Sequence, residues 1–363
     1  MQRAPRDDPA RIKAQRSHVK AAVVHGTRDL RVDERPSPTP GPGDVLIAVE
    51  WGGICGSDLS YFSRGASGTA VLRHPLVLGH EVAGRVVDRG QDVPTALDGQ
   101  RVAVMPASLP DGVELDDVWA HRSNLHPELR YLGSAAHDPH TDGGFRQLLS
   151  VPADQALPLP HSVDTRRGAL AEPLAVALHA INRAREASGA LFESADVVVN
   201  GCGPIGLLLI AALTRRGAGR VVAADISSSS LALASQMGAD ELIDLSQGLS
   251  TPEAPVVFEA SGAPAALEGA LAGTSRGGTL VQVGNLPKNP APAVLGDLIS
   301  REITWIGSFR FRDEMPDAIE LLGDGLDVDP LMTHEFDLSE AHRAFETALD
   351  PAVASSKVML RIQ

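Results

Sequence analysis

Cysteine is nearly absent from this chain: Cys55 and Cys202 are the two thiols in 363 residues. Two cysteines cannot build a disulfide framework, so an apolar core must hold the fold, and each thiol is left to be a ligand, a reactive group or filling. Aromatic residues are scarce too, at 4% against 43% hydrophobic residues in all. Ala, Val, Leu and Ile must therefore make the core, and disorder throughout is excluded. No apolar run is long enough to cross a bilayer: residues 206–213 are followed by Arg215 and Arg216, far short of the roughly 20 residues a span requires. Residues 1–18 mix charges without an apolar stretch and read as a mobile tail, neither a signal peptide nor an anchor. Basic residues are outnumbered, 32 Lys and Arg against 46 Asp and Glu, for a net charge of -14. Nucleic acid and anionic membranes need a basic field, so neither is an expected partner. The expectation is a cytoplasmic chain that acts on a small molecule.

A chain of this length exceeds one ordinary core and predicts two domains. Residues 19–160 read as short strands cut by Gly/Pro turns, at 20–24, 44–49, 81–88 and 101–104, which is a β-rich texture. After Pro158-Leu159-Pro160 strands alternate with helical stretches, the pattern of a parallel α/β sheet. Strands are expected at 196–200, 220–225, 256–259 and 279–284, and helices at 203–216 and 229–237. From residue 305 to the end the texture is mixed again, with strands near 306–309 and 356–362, and this segment is expected to pack back on the first unit. The predicted division is 19–160 with 305–363, and 161–304 between them.

The turn Gly201-Cys202-Gly203-Pro204-Ile205-Gly206 fits G-x-G-x-x-G. Its context carries the signal: the strand Val197-Val198-Val199 precedes it, a helix follows, and a second strand ends on Asp225. Glycines there let the backbone approach a pyrophosphate at a helix N-terminus, and an acidic residue about twenty positions on bonds the adenosine ribose. Asp225 would repel a 2′-phosphate and no arginine follows it, so NAD is expected over NADP. Cys202 reads as a small packed side chain.

Three further segments carry ligand-type residues: Cys55 in GGICGSD, the pair His80-Glu81, and Glu172 before Pro173. A thiolate, an imidazole and carboxylates suit a catalytic zinc with one position left open. Singly, each has a duller explanation as a buried thiol, a hydrogen-bonded histidine or a surface carboxylate. Neighbouring side chains on a strand face opposite ways, so His80 and Glu81 meet one ion only if the backbone bends, which Gly79 permits. Glu81 is then a direct ligand, or else an exchangeable or outer one. Glu172 belongs in the first turn of a helix with Leu174, Leu178 and Ile181 on its apolar face, binding metal directly or through water.

GGICGSDLSYF, GHEVAGRVV, AEPLAVALHA, GCGPIG and GSFRF together resemble the zinc-dependent polyol dehydrogenases of the medium-chain dehydrogenase/reductase superfamily, over about residues 19–363. The stretch from Tyr131 to Phe145 is similar to members acting on sugar acids of the L-idonate kind. The resemblance implies an α/β protein: a GroES-like β-rich catalytic domain and a Rossmann, doubly wound NAD-binding domain, assembled as a homodimer or homotetramer. It places Cys55, His80 and Glu81 at zinc-ligand positions, Glu172 at a position for metal or its water, Ser57 at the start of the proton path, and Tyr61 and Arg310 beside the substrate. Arg312 carries no such position.

Two departures stand out. Many relatives hold a second, structural zinc with four cysteines, whereas residues 105–131 contain none. No structural zinc is expected; Val118 and His126 stand in stretches where thiols would be expected, and apolar packing is expected to hold that lobe. Ser60 stands where an outer relay histidine is common, so another group or water must finish the proton path. His137 and His140 read as parts of a polar loop ending in Asp142-Gly143-Gly144 rather than as a second metal site. The expected reaction takes hydride from a secondary alcohol of a polyol or sugar acid to NAD. The competing readings are a metal-free reductase, a cyclitol or amino-sugar dehydrogenase, and a non-catalytic NAD-binding protein.

Overall fold

The structure is a computed structural model that describes residues 17–110, 112–189, 194–286 and 295–363. Most of the expected tail therefore lies outside the described residues. His18, counted with it above, opens the strand His18–Gly26, which pairs with Asp29–Pro36.

Two sheets organise the chain. The first has seven strands, with Ala156–Pro158, Arg101–Val104, Glu81–Arg89, Asp44–Gly53, Lys357–Arg361 and Met332–Asp337 side by side and Leu148–Pro152 also paired to Asp44–Gly53. Alternation drives it: Val45, Ile47 and Val49 are fully buried on one face and join Phe62, Phe145 and Phe345 in a common core. The C-terminal strand is antiparallel to the central one, with Met359 opposite Gly53. The chain's end thus completes the sheet its beginning started, as GroES-like connectivity requires.

The second sheet is parallel, in the order Glu241–Asp244, Val221–Asp225, Val197–Asn200, Ala254–Glu259, Thr274–Gln282, Thr304–Gly307. Its central strands, Val197–Asn200 and Val221–Asp225, read as Val/Ala runs, as strands buried on both faces do. Counted along the sheet this is the 3-2-1-4-5-6 Rossmann order, whose ligand crevice lies at the carboxyl ends where the order reverses. The boundary expected between residues 304 and 305 cuts the edge strand of this sheet, which pairs with Thr279 to Gln282 through Gly307. The helix Ala171–Ser188 starts near the first sheet and runs along the second, with Leu174, Leu178 and Ile181 fully buried against Pro204–Arg215 and Met315–Gly323. Among the described residues no helix is long and apolar enough to cross a membrane.

Candidate active site and metal centre

Cys55 caps the N-terminus of the helix Gly56–Arg64, and the Asp58 carboxylate accepts its backbone N–H at 3.0 Å. The other Asp58 oxygen accepts the N–H of Gly79 at 3.1 Å and lies 3.8 Å from His80 Nδ1. One buried carboxylate therefore ties the thiol-bearing segment to the imidazole-bearing one. Gly79 has φ +96, a conformation that other residues seldom adopt, and a Cβ there would collide with the Phe145 ring. The bend leaves His80 just ahead of the strand Glu81–Arg89, which removes the opposite-faces objection. Gly53 sits opposite Glu81 in the sheet, and a Cβ on it would strike the Glu81 carboxylate. The glycines around Cys55 clear space for a buried acid.

Ligand atoms of Cys55, His80 and Glu81 all lie within 4.8 Å of one another. This donor set, soft sulfur with nitrogen and oxygen, fits zinc. The electrostatics agree. Burial lowers the His80 pKa, yet the Asp58 carboxylate and Cys55 sulfur more than reverse that and lift it to about 10. Such a negative field is one that a divalent cation would balance. Glu81 is 0% exposed, and Lys357, itself 1% exposed, donates from Nζ to both its oxygens at 2.7 Å.

Glu172 stands outside that trio. It is buried, and its Oε1 accepts the Tyr131 hydroxyl. Burial pushes the Glu172 carboxyl up against the pull of His80, and burial with the nearby Glu172 pushes the Tyr131 phenol well above its usual value. Tyr131 also sets its ring 5.6 Å from the His80 ring, edge-on, and carries the Arg310 guanidinium 3.9 Å from its own centroid. It contacts three site members at once, though only its likeness to a family segment drew notice in the sequence.

Ser57 is half-buried in the first turn of the helix that Cys55 caps. Tyr61 is buried, with its hydroxyl accepting the Ala135 N–H at 3.0 Å. Ser60 is occupied, donating to the Gly56 carbonyl at 2.8 Å and accepting from Arg64 at 2.7 Å. Arg312 reaches Glu186 at 3.0 Å and the His121 carbonyl at 3.2 Å, a structural tie. His140 is committed as well: Nε2 accepts the N–H groups of Arg73 and His74, and Nδ1 donates to the His137 carbonyl.

The lobe departs from expectation. Val118 is 64% exposed, with Leu115 and Leu125 exposed too. Met105 and Ala107 pack against the core, and polar ties add to this: Gln155 donates to the carbonyls of Met105 and Ala107, and Asn124 donates to that of Phe309 at 2.7 Å. The Trp119 and His126 rings meet edge-on at 5.5 Å.

In the parallel sheet, Gly201 has φ +99, and Gly203 is the extended N-cap of the helix that begins Pro204-Ile205-Gly206. Gly206 passes so close to the Gly201 carbonyl that a Cβ would overlap it. Asp225 accepts from Cys202 N at 2.6 Å and from Ser227 N at 2.8 Å, so the acid at the second strand's end also shapes the turn. Cys202 is buried, and burial with the nearby Asp225 pushes its thiol up to about 12, the behaviour of filling rather than of a nucleophile.

Residues 41–161 match the alcohol dehydrogenase GroES-like domain and residues 204–324 the zinc-binding dehydrogenase family. The chain is 34% identical to sorbitol dehydrogenase of Bacillus subtilis (strain 168), covering 94% of this chain and 97% of that protein. It is 36% identical to L-idonate 5-dehydrogenase (NAD(P)(+)) of Escherichia coli (strain K12), covering 94% and 98%. The crystal structure of L-idonate 5-dehydrogenase from Escherichia coli K-12 superposes with a TM-score of 0.86 at 34% identity, over 95% of this chain and 98% of that one. Two sheets in GroES-like and Rossmann order, a sulfur–imidazole–carboxylate trio and full-length likeness agree: the chain belongs to the zinc-binding, NAD(P)-dependent alcohol dehydrogenases with a GroES-like domain, in their polyol dehydrogenase group.

Proposed function

We propose that this protein oxidises a secondary hydroxyl of a polyol or sugar acid with NAD, using Cys55, His80 and Glu81 to hold zinc. The observation that carries the reading is the convergence of those three donors from separate segments, within 4.8 Å of one another. When bound, zinc would supply Lewis acidity to lower the alcohol's pKa, and NAD would supply the hydride acceptor. The chain's own groups do the rest. Asp58 fixes the backbone on either side of the trio, Lys357 neutralises Glu81 from behind, and Tyr131 occupies one Glu172 oxygen, which supports Glu172 as an outer group acting through water. Ser57, next but one to Cys55, is assigned the first proton transfer, and Tyr61 the wall of the pocket. Ser60 is spent within its own helix, so the proton continues by water.

For the cofactor, Gly201, Gly203, Pro204, Ile205 and Gly206 are assigned to the pyrophosphate and Asp225 to the ribose. A carboxylate at that point favours NAD over NADP. Ile226, 73% exposed next to Asp225, offers an apolar surface for the adenine. The domain division proposed is near 160 and, from the sheet pairing, near 307. Two free thiols support a cytoplasmic location. A homodimer or homotetramer is inferred, supported by the edge strand Thr304–Gly307 and by Ile299, 80% exposed just ahead of it, with a second copy as the occupant.

The test is a panel of alditols, aldonates, cyclitols and amino sugars with NAD and with NADP, following reduced cofactor, beside a zinc assay. NADH formed by a chain carrying about one zinc, and lost on chelation, upholds the reading. Turnover without metal favours the metal-free reductase, cyclitol or amino-sugar turnover moves the substrate class, and cofactor binding with no turnover favours a binding protein.

A further inference from the structure

A cleft of about 370 Å³ opens at the first turn of the helix Ser228–Gln236. One side is lined by Ser227, Ser229 and Ser230, the other by residues 348–355, the loop between the helix Ala341–Leu349 and the C-terminal strand Lys357–Arg361. The parallel-sheet unit supplies one wall and the GroES-like unit the other. Ser227 follows Asp225 by two positions, and the residues just beyond the acid that ends the second Rossmann strand are those that meet the ribose 2′ position. The loop at 348–355 therefore faces the place where NAD and NADP differ.

The serine wall alone would welcome a phosphate, since it carries hydroxyls at a helix N-terminus. Asp225 opposes this, yet both its oxygens already accept backbone N–H groups, from Cys202 at 2.6 Å and Ser227 at 2.8 Å, so part of its charge is met within the turn. Across the cleft stands a second carboxylate, Asp350, and no Arg, Lys or His lines the space between them. Among the described residues Asp350 forms no ion pair; one of its oxygens accepts the N–H of Ala352 at 2.9 Å. The loop is braced on both sides of it. Asp350 N donates to the Glu346 carbonyl at 3.0 Å, the Asp350 carbonyl accepts from Val353 N at 3.1 Å, and Ser356 N donates to Thr333 Oγ1 at 2.9 Å on the neighbouring strand Met332–Asp337. A cleft with hydroxyls, a carboxylate and no cation suits a ribose diol, whose O–H groups can donate to the acid, and repels a phosphate.

We propose that Asp350 is a second determinant of cofactor choice, a carboxylate set against the ribose 2′ position from the GroES-like unit, so that rejection of a 2′-phosphate is shared between the two domains. The proposal rests on the cofactor assignment above and adds a residue that the Rossmann signature does not contain. Because Asp350 is exposed, it acts by repulsion through solvent, and salt screens the effect.

Calorimetry on the full chain compares AMP with adenosine 2′,5′-bisphosphate, and NADH with NADPH, at about 0.05 M and about 0.5 M salt. In Asp350→Asn the affinity for the 2′-phosphorylated member of each pair, relative to the other member, should rise by about 3- to 10-fold at the lower salt and by less than about twofold at the higher. Asp350→Lys should raise it further, an order that follows charge and that a merely structural role of the loop would not give. Asp350→Ser keeps a hydroxyl for the Ala352 N–H and replaces Asp350→Asn if that variant folds poorly. An unchanged ratio in the Asp350 variants overturns the proposal; beside a shifted ratio in Asp225→Ser, it leaves the cofactor site standing. A shift of the same size at both salts, or an equal loss of both nucleotides in a pair, overturns it too, because the loop would then shape the cleft without its charge choosing the cofactor. Failure of the parent to bind AMP and NADH alike sinks the cofactor assignment, and the proposal with it.

Discussion

Lys357 Nζ stands 2.7 Å from both oxygens of Glu81, with the two side chains 2% and 0% exposed. A buried pair of this kind is costly to break from one side, because the survivor is left as an uncompensated buried charge, worth about 3–5 kcal/mol. Lys357→Met should therefore lower the denaturation midpoint strongly in the metal-free protein. Zinc supplies a replacement cation beside Glu81, so saturating zinc should recover part of the loss. Chemical denaturation of both forms, with and without zinc, checks this. Equal destabilisation in both conditions would show that the lysine serves the fold and not the balance of charge at the donor trio.

Cys55→Ala removes the sulfur while leaving the helix cap geometry to Asp58. Zinc content should fall well below one per chain, and turnover by at least about 10³-fold, the scale of several kcal/mol of lost Lewis-acid assistance. NAD affinity should stay within about threefold, since the turn at Gly201 and the Asp225 carboxylate belong to the other sheet. Metal analysis with cofactor fluorescence titration separates the two effects. Retained zinc and turnover would remove the thiol from the centre.

Much of this was legible in the chain because the signals are local. Four strands of the parallel sheet follow from their apolar runs, whereas the edge strand Glu241–Asp244, with little apolar character, does not; Asp225 falls at the end of the second strand. Cys55, His80 and Glu81 were legible from residue type and their glycine surroundings, and Gly79 supplied the required bend. Lys357 was not, since it lies 276 positions from Glu81 and a lysine in a short terminal strand reads as a solvated charge. Asp58 stood in plain sight beside Cys55, yet its double role depends on Gly79, 21 residues away. The tie that Asn124 makes to Phe309 is hidden for the same reason: the two are 185 residues apart, and no local pattern announces it.

Asp225→Ser should move the cofactor preference toward NADP. The parent carboxylate repels a 2′-phosphate and a serine does not, so the ratio of kcat/KM for NAD to that for NADP should fall by roughly tenfold or more. Part of the change should appear as weaker binding of both cofactors, because Asp225 also accepts the N–H of Cys202 and so supports the turn. Steady-state kinetics with each cofactor distinguishes the two contributions. An unchanged ratio would contradict the ribose assignment.

Glu314 gives a prediction in pH. Burial would raise its pKa, but the hydrogen bond from His179 and those from Arg312 N and Asn182 outweigh this and bring it to about 2, from an ordinary 4.5. A carboxyl whose folded pKa is depressed stabilises the fold above its unfolded pKa, and that contribution is lost as pH falls through the folded value. The window is therefore from about 4.5 down to about 2. Over it the parent should lose on the order of 2 kcal/mol more stability than Glu314→Gln, which carries no titrating group there. At neutral pH the variant should be the less stable of the two and show a raised KM with a smaller change in kcat, because the loop that presents Arg310 loses its anchor to His179. Urea titrations of both proteins across this pH range make the measurement. Parallel stability curves would mean that the carboxylate does not titrate as a buried, hydrogen-bonded anchor, and that the loop is held by Asn124 and Arg312 instead.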